Sequence, residues 1–262
     1  MSSLVVISHY NAWPTDRLVA LLDQIAAISA GASFDVCVVV NQAVPEAVRL
    51  PERHAGISVL YRENTGYNIG AWEHGRRRNP DHDCYLFLQE ECVILRAGWL
   101  QAFRRLALRP NVGLVGESLH WAGLGWDKLA EKYRHHPFAA LIEGRSVPIP
   151  VGIQAGLRRL GIVEGPTGAH LQSLVLCARR EVLEAIDGFG LGLTYGDATV
   201  MEVATSKKVA SLGLKVREVG PGSFRYILHP QWRERQGVLR MLGRTAARWI
   251  PVRVQRWIRR HP

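Results

Sequence analysis

The feature that most limits this chain is an alternation of buried-strand and helix patterns over its first 118 residues. SLVVISHYN, residues 3–11, is a β-branched run with a polar end, and residues 15–28 follow with apolar side chains at helical spacing behind Thr15 as N-cap. Further strand patterns lie at 34–42, 56–64, 83–94 and 111–118, with helix patterns opening at Gly66 and spanning 97–108. Strands alternating with helices in this way specify an α/β fold, a mostly parallel sheet flanked by crossover helices. Ligands of such sheets bind beyond the carboxyl ends of the strands. Asn11, Asn41, Asn64 and the triplet Gln89-Glu90-Glu91 all fall at such ends.

The triplet poses a chemical question. YLFL, residues 85–88, is a core strand that runs without a turn signal into two carboxylates. A buried carboxylate is costly unless a cation or hydrogen bonds offset it. Adjacent strand residues point to opposite faces, so Gln89 and Glu91 share one face and Glu90 takes the other. Either the strand ends in solvated acids, or Glu91 faces a metal, a phosphate or a proton in transfer.

Residues 119–168 are rich in Gly, Trp, His and Pro and weakly periodic, which reads as loops and short helices lining a cleft. Residues 170–190 read as a strand and a helix closed by Gly188, and residues 200–220 as a helix ending at Gly213 and then a strand. The net charge of +10 is concentrated at one end: residues 225–262 hold ten Arg and one acid, Glu234, and so carry +9 of it. The remainder is near neutral, which argues against a nucleic-acid-binding body. Cys37, Cys84, Cys92 and Cys177 show no zinc spacing and sit in apolar runs, as buried free thiols do. The opening MSSLVVISHYN has no charged leader region, so a cytoplasmic location is expected.

In order and spacing, these fragments resemble the GT-A-type nucleotide-sugar glycosyltransferases over residues 4–229. VVISHYN is similar to the first strand of that fold, and CVVVNQ to the second. ENTGYNIGAWEHG resembles its Asn-x-Gly stretch, YLFLQEECVILRAGWL its Asp-x-Asp strand and following helix, and REVLEAIDGFG its Gly-Gly-Phe segment. NTGYNIGAW with HLQSLVLCARREVL is nearest the rhamnan-synthesis branch. Two positions depart from the pattern: Val40 stands where the nucleotide-binding Asp is usual, and Gln89 where the first metal-binding Asp is.

The resemblance implies a site and a setting. Donor contacts are expected from Ser8, Tyr10, Asn41, Asn64, Gly66, Asn68, Gln89 and Glu91. A divalent cation, Mg²⁺ or Mn²⁺, would be met by Glu91 and His229. The base for an inverting transfer is Asp197 or Glu202, the former also suiting a helix N-cap. Trp121, Trp126, His170 and Gln172 are the acceptor candidates. The implied acceptor is a surface-polysaccharide glycan on a lipid carrier, at the inner face of a bacterial membrane. The implied division is a catalytic domain over 1–230 and a basic amphipathic tail over 231–262. In the tail, Arg240, Arg244 and Arg248 form one stripe and Trp249 and Ile250 lie apart from it, as in a helix on anionic lipid. A helix docked on the body or on a second subunit has the same pattern. A non-catalytic glycan- or donor-binding module of the same fold, and a nucleic-acid-binding α/β protein, are the competing functions; the first accommodates Val40 and Gln89.

Overall fold

The computed structural model describes residues 2–135, 139–142 and 145–230. The basic tail over 231–262 lies outside the described residues.

The first half builds β1 (Ser3–Tyr10), α1 (Asp16–Ala27), β2 (Asp35–Gln42), β3 (Ser58–Glu63), α2 (Tyr67–Arg78), β4 (Cys84–Gln89), β5 (Val93–Ile94), α3 (Trp99–Ala107) and β6 (Val112–Gly116). The second half adds β7 (Leu119–His120), α4 (Trp126–Lys132), β8 (Ala139–Ile142), β9 (Arg145–Pro148), α5 (Ile149–Arg159), β10 (His170–Leu171) and β11 (Val175–Arg179). It closes with α6 (Arg180–Ala185), α7 (Tyr195–Ser211), β12 (Lys215–Glu218) and β13 (Ile227–Leu228).

Seven strands form one sheet in the order β12-β6-β11-β4-β1-β2-β3. β11 runs antiparallel to both of its neighbours, and the other pairings are parallel. The expected mostly parallel α/β sheet is therefore present, with one reversed strand. Strand direction depends on connection length and packing, which an apolar run such as Val175–Cys177 does not encode.

Helices cover both faces, so β1 and β4 are continuous apolar runs. One face packs Val5, Ile7, Val38, Leu86 and Leu88 against Leu18 and Leu22 of α1 and Trp99 and Phe103 of α3. The other packs Val6, Val39, Tyr85 and Phe87 against Trp72 of α2, Leu183 of α6 and Val209 of α7. Each such side chain contributes roughly 1.5–3 kcal/mol, so truncating fully buried Phe103 to Ala would cost about 3–5 kcal/mol. A third cluster joins Trp121, Trp126 and Leu129 to Ile153, Leu157 and Val203. It organises the region expected as loops and short helices, where α4 and the eleven-residue α5 are the helices. Thr15 occupies the N-cap position of α1, although its side chain makes no capping hydrogen bond.

Candidate functional site

The sheet has a topological switch at β1, which pairs with β2 on one side and β4 on the other. A crevice opens beyond the carboxyl ends at such a point. The register aligns Ser8 with Gln89, Tyr10 with Asn41, and Asn41 with Arg62. In a parallel sheet these aligned side chains share a face, here the face covered by α2.

That face holds the start of α2 in place. Ser8 Oγ donates to Asn68 Oδ1 at 2.9 Å. Asn41 Nδ2 donates to the Tyr67 carbonyl at 3.0 Å, and its Oδ1 accepts from Arg62 at 2.6 Å. The Asn41 amide is thus spent on positioning Arg62 and the helix start. Gly66 and Tyr67 both adopt left-handed backbone, with φ of 76° and 52°. A Cβ on Gly70 would lie 2.2 Å from the Thr65 carbonyl oxygen, so only glycine permits this turn. Gly66 shapes the same turn, and half-buried Asn64 leads into it. Tyr10 packs edge-on against Trp13, which is 51% exposed at the rim.

The acidic triplet divides in the turn that ends β4. β4 ends at Gln89, and Cys92 N–H donates back to the Gln89 carbonyl at 3.0 Å, closing a turn. Glu90 turns under the sheet and pairs with His9 at 2.5 Å, both side chains buried. Glu91 stays at the crevice, with Oε2 3.7 Å from His229 Nε2 and Oε1 3.8 Å from Arg17 of α1. Burial pushes the Glu91 carboxyl up, but the hydrogen bond to His229 and the charge of Arg17 outweigh it and hold it below the usual range.

His229 arrives from the far end of the chain. β13 pairs antiparallel with β5, Leu228 opposite Val93. Glu117, buried just past β6, accepts the backbone N–H groups of Arg225, Tyr226 and Ile227 at 2.7, 2.8 and 2.8 Å. Burial pushes its carboxyl up to about 7 against those three donors.

From His229 a polar network runs along the crevice. His229 Nε2 lies 3.2 Å from Gln89 Oε1, and Gln89 Nε2 donates to the Ser173 carbonyl at 2.6 Å. Ser173 N–H donates to Glu202 Oε2 at 2.6 Å, and its hydroxyl donates to the same oxygen. Glu202 Oε1 faces His170 Nε2 at 3.4 Å. Burial raises the Glu202 carboxyl, while His170 and Ser173 lower it, for a net shift below the usual range.

Asp197 stands apart from this network. It lies in the first turn of α7, its N–H donating to the Thr194 hydroxyl oxygen at 3.1 Å and its carboxylate paired with Arg159 at 2.9 Å. This is a helix-capping arrangement. Trp121 and Trp126 are each only 7% exposed, with their indole N–H groups bonded to the Tyr133 hydroxyl and the Gly165 carbonyl. Their rings pack in the third cluster, Trp126 also lining a surface cavity with Asp127, Lys128 and Gln154. Gln172 is buried, and its N–H donates to the Ser118 carbonyl at 3.1 Å. Arg17, Arg62, Ser173 and Glu117 were not singled out from sequence. An acid following the apolar run of β6 was a legible signal for Glu117; the others had none.

Among the described residues no group of three or more His, Cys, Asp or Glu is placed to hold a metal. Glu91 and His229 supply one carboxylate oxygen and one imidazole nitrogen at adjacent positions. Nε2 is engaged by Gln89 Oε1, so His229 would join Glu91 on a divalent cation, with other ligands from phosphate oxygens and water, only by giving up that hydrogen bond.

No family model and no curated protein matches the chain. Solved structures do. The bifunctional glycosyltransferase WbbM is 13% identical with a TM-score of 0.51, over 95% of this chain and 45% of that one. The mannosyltransferase PcManGT from Pyrobaculum calidifontis, in complex with GDP-Man and Mn²⁺, is 14% identical with a TM-score of 0.49, over 82% of this chain and 54% of that one. The chain therefore spans about half the length of these two proteins. CMP:2-keto-3-deoxy-manno-octonic acid synthetase complexed with CTP is 13% identical with a TM-score of 0.44, over 92% of this chain and 98% of that one. The likeness to WbbM is one of fold, and it agrees with the GT-A-type α/β architecture expected from sequence.

Proposed function

We propose that the chain is a glycosyltransferase that moves a sugar from a nucleotide-sugar donor to a glycan hydroxyl with inversion. The observation that carries this reading is the continuous network Glu91–His229–Gln89–Ser173–Glu202–His170 beside the topological switch. The reading takes Glu91 and His229 at one end as the pair for a cation or diphosphate, and the partly exposed Glu202 carboxylate at the other as the base.

In this reading the nucleotide lies over Ser8, Tyr10 and the start of α2, with Trp13 and Arg62 at its edge. Glu91 and His229 would hold a divalent cation, which when bound would neutralise charge developing on the leaving diphosphate. Arg17 supplies positive charge at the same place. Glu202, whose side chain is 20% exposed, accepts the proton of the attacking hydroxyl. Asp197 caps α7. The acceptor as a lipid-linked surface polysaccharide, the rhamnan-synthesis type, the division into a domain over 1–230 and a tail over 231–262, and the inner membrane face belong to the same proposal. They are supported by the sequence resemblance and the arginine-rich tail. No described helix is long and apolar enough to cross a membrane.

The test is thermal unfolding with UDP, GDP, CDP and dTDP, each with and without Mn²⁺. A ligand that binds only the folded state raises Tm, by about 2.7 kcal/mol of added stability at a hundredfold excess over Kd. One nucleotide should stabilise the protein, and Glu91→Gln should remove the part that depends on Mn²⁺. No stabilisation by any of the four contradicts the reading.

A further inference from the structure

We infer that Glu117 is the positioning residue for His229: it clasps residues 224–227 so that the imidazole meets Gln89 and Glu91 at the donor end of the crevice. This rests on the reading of that end as the place of the donor's diphosphate.

One residue takes four consecutive backbone N–H groups. Phe224 N–H donates to the Glu117 carbonyl at 3.2 Å, Arg225 N–H to Oε2 at 2.7 Å, and Tyr226 and Ile227 N–H to Oε1 at 2.8 Å each. Successive N–H groups converge on an anion where the backbone turns into a nest. Phe224 makes that turn, with φ of 57°. This is the left-handed region, which a residue with a Cβ disfavours. Such strain persists where its surroundings over-determine it, and it points to a functional constraint.

The carboxylate is a second cost. Glu117 is 1% exposed, and burial opposes its charge, offset by the three N–H groups that reach its oxygens. An apolar side chain at this position would carry no such penalty.

The fold attaches the segment by other means. Ile227 is fully buried in the core cluster of the α1 face. β13 pairs with β5 through Ile227–Ile94 and Leu228–Val93, and the Tyr226 carbonyl accepts from Leu95 N–H at 2.8 Å. A two-residue ladder fixes the place of the segment but constrains its direction little. Direction is what the clasp adds. His229 lies two residues beyond Ile227, its ring buried, with Nε2 3.2 Å from Gln89 Oε1 and 3.7 Å from Glu91 Oε2. Glu117 follows β6, and β11 stands between β6 and β4. It therefore acts on the strand-end site of β4 through residues 225–229.

The experiment uses the full chain, Glu117→Gln, Glu117→Asp, His229→Gln and the double variant Glu117→Gln with His229→Gln. Glutamine keeps the size, but its amide nitrogen donates and cannot accept what a carboxylate oxygen accepts. Ile227 keeps the segment docked. In ¹⁵N-labelled protein without ligand, Glu117→Gln should lower hydrogen-exchange protection of the 224–227 amides about tenfold or more. It should also shift the His229 ring signals, which are assigned by their loss in His229→Gln. An unmoved ring overturns the positioning role, whether or not protection falls.

The nucleotide that raises Tm, with Mn²⁺ present, gives the functional readout. Its Kd should rise about tenfold or more in Glu117→Gln and in His229→Gln, as for partners that orient a ligating group. Glu117→Asp should lose less, and the double variant no more than either single one. Additive losses in the double variant show Glu117 acting otherwise than through His229 and overturn the inference. Wild-type affinity in Glu117→Gln does the same. If none of the four nucleotides binds the wild type, the donor reading falls, and the ring shift alone decides the positioning role. If Glu117→Gln fails to fold, Glu117→Asp takes its place in both measurements.

Discussion

Glu90 and Glu91, neighbours in the chain, occupy opposite sides of the sheet edge: Glu90 is buried against His9 at 2.5 Å, and Glu91 faces His229 at 3.7 Å. The two acids therefore answer to different physics. Glu90→Gln weakens a buried hydrogen-bonded pair with His9, which costs about 1–3 kcal/mol and should lower Tm. Glu91→Gln should leave Tm nearly unchanged and abolish nucleotide-dependent turnover. Parallel melting curves and turnover assays of the two variants check this; equal melting loss in both contradicts the division.

Glu117 sets a pH dependence of stability. Its folded carboxyl is raised to about 7 from an ordinary 4.5. The stabilisation it gives is full below about pH 4.5 and is lost as pH rises through about 7, a change of about 3 kcal/mol. Glu117→Gln cannot ionise, so its stability should fall less over that window. Urea unfolding at pH 5 and pH 8 measures both slopes, and equal slopes contradict the assignment.

Removal of residues 231–262 is expected to release the protein from anionic vesicles without lowering Tm. Attraction by the arginines is screened over about 8 Å at physiological salt, so high salt should weaken binding of the full chain. The apolar stripe should leave residual binding. Vesicle sedimentation at low and high salt reads this directly. A truncated form that sediments equally, or one that melts far lower, contradicts an anchoring tail.

The alternating patterns of the first 118 residues made the sheet and its helices legible, because strands covered on both faces read as unbroken apolar runs. The reversal of β11 was not legible, since both directions bury the same side chains. Within the site, Glu90 and Glu91 are separated by the turn that follows Gln89, which strand alternation does not describe. The arrival of His229 beside Glu91 depends on β13 pairing with β5 and on Glu117 gripping residues 225–227, contacts more than a hundred positions apart in sequence. Trp121 and Trp126 read as loop aromatics because the helices that cover them, α5 and α7, lie far along the chain. Sequence favours Asp197 over Glu202 as the base, because Asp197 follows a Gly-containing turn. Only the position of Ser173, on the loop before β11, distinguishes the carboxylate in the crevice from the one capping α7.

That distinction is the central claim, and it is tested most directly by turnover. Release of nucleoside diphosphate from the stabilising donor is measured with a glycan acceptor for wild type, Glu202→Gln and Asp197→Asn. Glu202→Gln should lower kcat about a hundredfold or more with the donor KM unchanged. Asp197→Asn should keep most of kcat and lose about 0.3–1 kcal/mol of stability from the first-turn charge of α7. Loss of turnover in Asp197→Asn with wild-type turnover in Glu202→Gln would contradict the account.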